Sequence, residues 1–211
     1  MSLSHLILLS IIQGITEFLP ISSSGHLILV PNLINLPDQG RVLDVSVHFG
    51  SFCAVILYLW REIFKMIIGI TTIGNRSKKD LWLAIYIVLG SMPMIFVGYF
   101  IQNAELNLLR SIEIVAWSTL VFGIFLFVSD KFFLRVKRIE DLRLFSVLII
   151  GLFQIFAFLP GTSRSGITIT AARLLGFERK EAAKFSLFLS IPAILGASFL
   201  EAVDLYYLND T

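Results

Sequence analysis

Gln13 and Glu17 stand four residues apart in an apolar run, so on a helix they share one face. Just beyond them the run breaks at Phe18-Leu19-Pro20-Ile21-Ser22-Ser23-Ser24-Gly25-His26, a string of hydroxyls closed by a glycine and a histidine. A second string of the same kind is Phe158-Leu159-Pro160-Gly161-Thr162-Ser163-Arg164-Ser165-Gly166, with an arginine at its centre. These side chains suit phosphate chemistry. A guanidinium grips a phosphate through two parallel bonds. Hydroxyls and the free N–H groups of a helix N-terminus add donors for an anion.

Each residue has a functional and a structural reading. An ionisable group deep in an apolar span costs about 2.5–3.5 kcal/mol on insertion scales, so Glu17 is read as functional. Its structural alternative is a tie to Arg164 or to a backbone donor. Arg164, flanked by serines and glycines, reads as the anion grip. Ser22, Ser23, Ser24, Thr162, Ser163 and Ser165 add hydroxyl donors, and the helices are expected to resume at Leu27 and Ile167. His26 reads equally well as a catalytic group and as a satisfied core residue. Asp44 and His48 form another four-residue pair, read as bonding each other across a packed interface rather than holding a metal. Gln154 mirrors Gln13 and is expected to donate into a hydrogen-bond network.

The surrounding sequence says where this chemistry takes place. Of 211 residues, 56% are hydrophobic and 15% charged, with 19 phenylalanines. The mean hydropathy is +0.85, which excludes an ordinary soluble domain and points to a polytopic membrane protein. The single cysteine, Cys53, excludes an internal disulfide and is expected to be a packing residue. The start at Met1 lacks the basic head of a signal peptide, so the first segment is expected to be mature structure.

Val42–Trp60, Leu81–Ile101 and Ile112–Ser129 read as spans, and Phe185–Leu200 as a shorter fourth. All of the 17 lysines and arginines except Arg41, Arg110 and Arg164 fall in the stretches 61–80, 130–143 and 173–184. The positive-inside rule makes those stretches cytoplasmic loops. Residues 144–172 then begin and end on one side, yet two full crossings need about 40 residues. They are expected to form a re-entrant hairpin with Pro160–Gly166 at its tip. The same shape over 1–36 gives a hairpin entering from the other face with Pro20–Gly25 at its tip. The expected architecture is therefore a single all-α integral membrane domain over 1–211, an inverted-topology repeat of about 1–129 and about 142–211. Non-helical polar backbone at such depth is tolerated where it lines a cavity, and paired breaks in two halves point to a binding site.

Other phosphate and hydrolase signatures fail. The glycine spacing of a P-loop is present at 161–166, but Ile167 stands where the lysine belongs. The acid phosphatase and haloperoxidase pattern requires a histidine and an aspartate where Thr170 and Leu174 stand, and neither GxSxG nor HExxH occurs. The chain instead resembles the undecaprenyl-pyrophosphate phosphatase family, known for bacitracin resistance, over essentially its whole length. The first family motif stands as Gln13 through His26, the second as Pro160 through Thr168, and Asp44 through Ser51 resembles the family's second helix.

The resemblance implies hydrolysis of a C55 polyprenyl diphosphate to its monophosphate and inorganic phosphate. It implies Mg²⁺ or Ca²⁺ held by Glu17, and a bacterial inner membrane with the active site opening to the outer side. It also implies that Glu17, Ser23, His26, Ser163, Arg164 and Thr168 are functional, with Gln13 where many members carry Glu. Glu17, His26, Ser163 and Arg164 are the expected catalytic residues, and Gln13, Ser22, Ser23, Ser24, Thr162, Ser165, Gly166 and Thr168 the expected substrate contacts. The attacking group is expected to be Ser163, deprotonated by His26, or a water activated by His26 or Glu17, with phosphoseryl, phosphohistidyl and direct-water routes all left open. Family members usually continue with two further helices, which are expected to be missing here. The expected partners are the polyprenyl lipid and the bilayer, not nucleic acid, with a homodimer left open. The competing reading is a transporter for an anionic lipid or small anion, since broken helices facing an anion also serve secondary transport.

Overall fold

A computed structural model of the chain describes residues 3–34, 39–71, 78–101, 111–133 and 136–209, and among these every regular element is helical. In chain order they are α1 (Leu3–Thr16), α2 (Ser23–Leu33), α3 (Arg41–Tyr58), α4 (Trp60–Thr71), α5 (Lys78–Ile101), α6 (Ile112–Phe132), α7 (Leu144–Gln154), α8 (Arg164–Leu174) and α9 (Arg179–Asn209). Short 3₁₀ turns at Ile139–Asp141 and Ile155–Phe158 precede and follow α7.

The helices are built for lipid. α5, α6 and α9 as far as Leu200 are long and apolar enough to cross a membrane, while α1, α3 and α7 are shorter apolar helices. α1 shows the logic most plainly. Its buried stripe is His5, Leu9, Gln13 and Thr16, which recur every three or four residues, and all but Leu9 carry hydrogen-bonding side chains. Its outward face carries Leu3, Ile7, Ile11 and Ile15, all more than half exposed. Around the bundle Phe96, Trp117, Phe127 and Phe199 also point outward. Apolar surface on this scale needs a bilayer as solvent, so the chain is a membrane protein.

The core lies where α5, α7, α8 and α9 meet, around Val147, Ile150, Ala171, Phe188 and Leu189. α5 and α7 approach through glycines, as small residues allow helices to do in membranes. A Cβ on Gly151 would lie 2.4 Å from the carbonyl oxygen of Gly90. Gln154 donates its Nε2 to that same oxygen at 2.8 Å, the network role expected of it.

Three expectations are corrected. The stretch 61–80 is not simply a loop, because α4 starts within two residues of the end of α3 and packs on α5. Arg61, Glu62 and Lys65 hid an amphipathic helix whose apolar residues include Phe64, Ile67 and Ile68. Cys53 is exposed rather than packed, since it lies on an outward side of α3. Arg173, expected in a loop, lies in α8 and is fully buried. Its Nε lies 2.9 Å from Asp130 Oδ1, and its Nη1 donates to the carbonyl of Phe177 at 2.8 Å. Arg179 pairs with the same Asp130, so the ends of α6, α8 and α9 are tied together. Of the residues that set the expected orientation, Arg76, Arg110 and Arg135 lie outside the described residues.

Candidate active site

Each polar string folds as a tight turn that starts a helix. Ser22 and Ser163 are extended, with φ −73° for both, and each accepts a hydrogen bond on Oγ from the glycine N–H three residues on. Both bonds, Gly25 to Ser22 and Gly166 to Ser163, measure 3.1 Å. This is N-capping, and it explains why α2 and α8 begin at Ser23 and Arg164 rather than at Leu27 and Ile167 as expected. Ser24 and Ser165 then hydrogen-bond back to the capping hydroxyls, at 3.2 and 3.0 Å. Ser23 and Arg164 therefore hold equivalent first positions of their helices.

The second string is one residue longer between its proline and its cap. Gly161 absorbs the difference with φ +90°, where a Cβ would lie 2.3 Å from the carbonyl oxygen of Val115. Thr119 of α6 holds the Gly161 carbonyl at 3.0 Å. α6 thus seats the second tip directly.

The tips meet. Ser165 Oγ donates to the Leu19 carbonyl at 2.8 Å, and Arg164 Nη2 donates to Glu17 Oε1 at 2.9 Å. Glu17 Oε2 accepts from Ser23 Oγ at 2.8 Å and from Gln13 Nε2 at 2.9 Å. His48 Nε2 lies 3.6 Å from the same oxygen. The Glu17 and Arg164 side chains are 6% and 12% exposed, burial enough that losing either would strand the other's charge.

A cavity of about 380 Å³ opens beside this pair. Its polar wall holds Glu17, Ser22, Ser23, Ser24, Thr162, Ser163 and Arg164 from the tips, with Asp44 and His48 from α3. Its apolar wall includes Met94, Ala157, Ala193, Ile194 and Ala197. Helix-first amide groups, hydroxyls and a guanidinium at one end, with small apolar residues at the other, suit an amphiphile with an anionic head.

The remaining expected residues sit behind this wall. Gln13 supports Glu17 from within α1. Gly166 gives its N–H to the cap, and Ser165 bridges the tips. Thr168 lies beneath Arg164, where its Oγ1 bonds Ser186 Oγ of α9 at 2.7 Å. The Arg164 Nη1 reaches the carbonyl of the same Ser186 at 3.5 Å. His26 is half-buried, its Nδ1–H donating to the Ser22 carbonyl at 2.6 Å. His48 makes the same bond to the carbonyl of Asp44, also at 2.6 Å, while the Asp44 carboxylate accepts from Gln39. Asp44 and His48 therefore line the cavity, and the bond between them runs from an imidazole to a backbone carbonyl rather than to the carboxylate. Nothing in the sequence marked Ser186.

Among the described residues no group of three His, Cys, Asp or Glu side chains is arranged around a metal position. The donor set still fits a hard ion shared with a phosphate. Mg²⁺ in phosphoryl sites takes one or two carboxylates and fills the rest from water and substrate. Glu17 and Asp44 face one cavity, and beside Glu17 the Gln13 Oε1 is buried with no hydrogen-bond partner.

Known proteins share this arrangement of sequence. A family model described as bacitracin resistance protein BacA matches residues 6–211. The chain is 44% identical to a protein of Ruegeria pomeroyi named "Undecaprenyl-diphosphatase", over 100% of its own length and 80% of the relative's. Relatives of the same name in Alcanivorax borkumensis and Alteromonas mediterranea are 45% and 42% identical. They are matched over 94% and 100% of this chain, and over 76% and 80% of their own lengths. Matched by the family model from residue 6 to residue 211 and 44% identical to a relative over its whole length, the chain belongs to the bacitracin resistance protein BacA family.

Proposed function

We propose that the chain hydrolyses undecaprenyl diphosphate to undecaprenyl phosphate and inorganic phosphate, regenerating a lipid carrier for cell-wall synthesis. One observation carries the mechanism: Glu17 joins Ser23 and Arg164 within a single cavity, one oxygen to each. The diphosphate occupies the polar end, held by Arg164, the tip hydroxyls and the first amides of α2 and α8. The polyprenyl chain leaves along the Met94 and Ala197 wall.

Ser23 is the best-placed attacking group, because its hydroxyl already donates to a carboxylate, while the Ser163 oxygen is taken up as a cap. Ser23 Oγ forms a bond to the terminal phosphorus as its proton passes to Glu17 Oε2. The bridging P–O bond breaks, and its electron pair leaves on undecaprenyl phosphate. Water then attacks the phosphoserine, protons pass between water and the Ser23 oxygen, and inorganic phosphate is released. Arg164 stabilises the charge on the equatorial oxygens in both steps, positioning and neutralisation being most of what phosphoryl transfer requires. His48, which lines the cavity, keeps Nε2 beside Glu17 for proton transfer, and its Nδ1 is held by the Asp44 carbonyl. When bound, Mg²⁺ or Ca²⁺ on Glu17, with Asp44 beside it, would neutralise phosphate charge.

The finer architecture belongs to the same proposal. The matched caps and the packing of α3 on α9 support an inverted repeat of two re-entrant hairpins. Basic residues gathered where α5 and α9 begin support a bacterial inner membrane with the cavity opening to the outer side. A homodimer stays part of the proposal, for the exposed apolar faces leave room for one. The relatives' shared name favours the hydrolase over a carrier. The test is phosphate release from polyprenyl diphosphate by purified protein, with and without a chelator. Release that stops with chelator and returns with Mg²⁺ or Ca²⁺ supports the reading. Binding of the lipid with no release in any condition refutes it.

A further inference from the structure

A second cavity, of about 430 Å³, lies nearer the starts of α5 and α9, away from the tips. It is framed by α4, the first turns of α5, the 3₁₀ turn at Ile139–Asp141 and the start of α9. Its floor is apolar, with Met66, Leu83 and Phe188. Its rim is charged with both signs. Two of the rim pairs satisfy each other, Lys79 with Glu140 at 3.4 Å and Lys184 with Glu62 at 3.7 Å.

Lys65, Lys78 and Asp80 also line the cavity, and none of them has an ion-pair partner among the described residues. Two cations and one anion are thus left facing one space. Trp82, about half exposed, and Tyr86 lie beside them with tilted rings, centroids 5.7 Å apart. Exposed aromatic rings among lysines at a helix end mark the level of lipid headgroups.

We propose that this cavity binds a phospholipid whose headgroup joins a phosphodiester to a primary ammonium, namely phosphatidylethanolamine. The phosphodiester sits between Lys65 and Lys78, the ammonium donates to Asp80, and the upper acyl chain lies over Leu83 and Tyr86. The charge pattern decides against the alternatives. A purely acidic headgroup leaves Asp80 facing a like charge, and a trimethylated amine has no N–H to give it. The site is separate from the tips, so it does not depend on the hydrolase reading.

The test is direct binding by native mass spectrometry of the purified full chain in detergent, with phosphatidylethanolamine, phosphatidylcholine and phosphatidylglycerol added singly. Phosphatidylethanolamine should bind about tenfold tighter than either other lipid. Asp80→Asn should reduce that preference to within about twofold, while Asp80→Glu keeps it. Lys65→Gln with Lys78→Gln should weaken all three lipids together. Because the readout is a ratio between lipids, a general loss of stability does not imitate it. Soluble glycerophosphoethanolamine should compete only weakly, as it lacks the chains the floor receives. Equal binding of the three lipids, tighter binding of phosphatidylglycerol, a preference surviving in Asp80→Asn, or strong competition by the soluble headgroup would each overturn the proposal.

Discussion

The two tips are near copies in backbone and opposites in chemistry. Both use a serine cap, a second serine two residues on and a glycine amide, with cap bonds of identical length. The position between the serines is Ser23 in one and Arg164 in the other, and only the first tip is preceded by a carboxylate. Their settings differ as well. α8 buries most of its residues, including Thr168, Thr170 and Arg173, whereas α2 buries only Gly25, Leu27 and Pro31. One kind of capped turn used twice thus supplies a fixed cation from an embedded helix start and a carboxylate with hydroxyls from a peripheral one. Neither tip alone holds a full set for phosphate transfer.

The comparison breaks hardest at Arg164. Arg164→Lys keeps the charge but loses the fork that spans Glu17 and phosphate, and turnover should fall about 10²–10³-fold. Glu17→Gln should fall comparably, measured as phosphate release on the same preparation. If both variants keep near-wild-type turnover, the shared site does not exist.

Gly161→Ala tests the extra residue of the second tip. Its positive φ and the Val115 carbonyl leave no room for a Cβ, so destabilisation of about 1–3 kcal/mol is expected in thermal unfolding. Gly14→Ala in α1 serves as the contrast, since nothing lies within 4 Å of its Cβ position and alanine favours a helix. A Gly161→Ala protein as stable as Gly14→Ala would mean that the second tip is not seated on α6.

Smaller effects sharpen the equivalence of the caps. Ser22→Ala and Ser163→Ala should each lose about 1 kcal/mol of stability, the ordinary cost of removing an N-cap. A loss confined to one of them would show that the matched geometry is not matched in energy. Cys53→Ala should change stability by less than about 0.5 kcal/mol, now because the residue is exposed rather than because it packs well.

Much of the site was legible because polar residues are conspicuous in an apolar sequence. The two strings, Glu17 and Arg164 were visible as breaks, and the short length of 144–172 was enough to suggest a hairpin. What stayed hidden depended on direction. In lipid the outside of a helix is as apolar as the core, so periodicity could not say that Cys53 faces out or that Arg173 faces in. The helix starts were placed late because the hydroxyls were counted as ligand donors before they were counted as caps. α4 was missed for the converse reason, its lysine and arginine having been read as topology rather than as one face of a helix. Ser186 left no sign, for an ordinary serine in an apolar helix gives none.

The contact between Gly90 and Gly151 has a consequence for how such a site can change. α7 leads straight to the second tip, and α5 carries Met94 on the cavity wall. The separation of those two helices is thus gauged at this contact by a side-chain-free approach to backbone. Substitution at Gly151 can only wedge the helices apart, whereas a Cβ on Gly90 meets the Leu189 and Val147 side chains at 3.1 and 3.2 Å. Adjustment of the cavity's width falls to residues that line it, such as Ala193 and Ala197, while the glycine contact between α5 and α7 stays fixed.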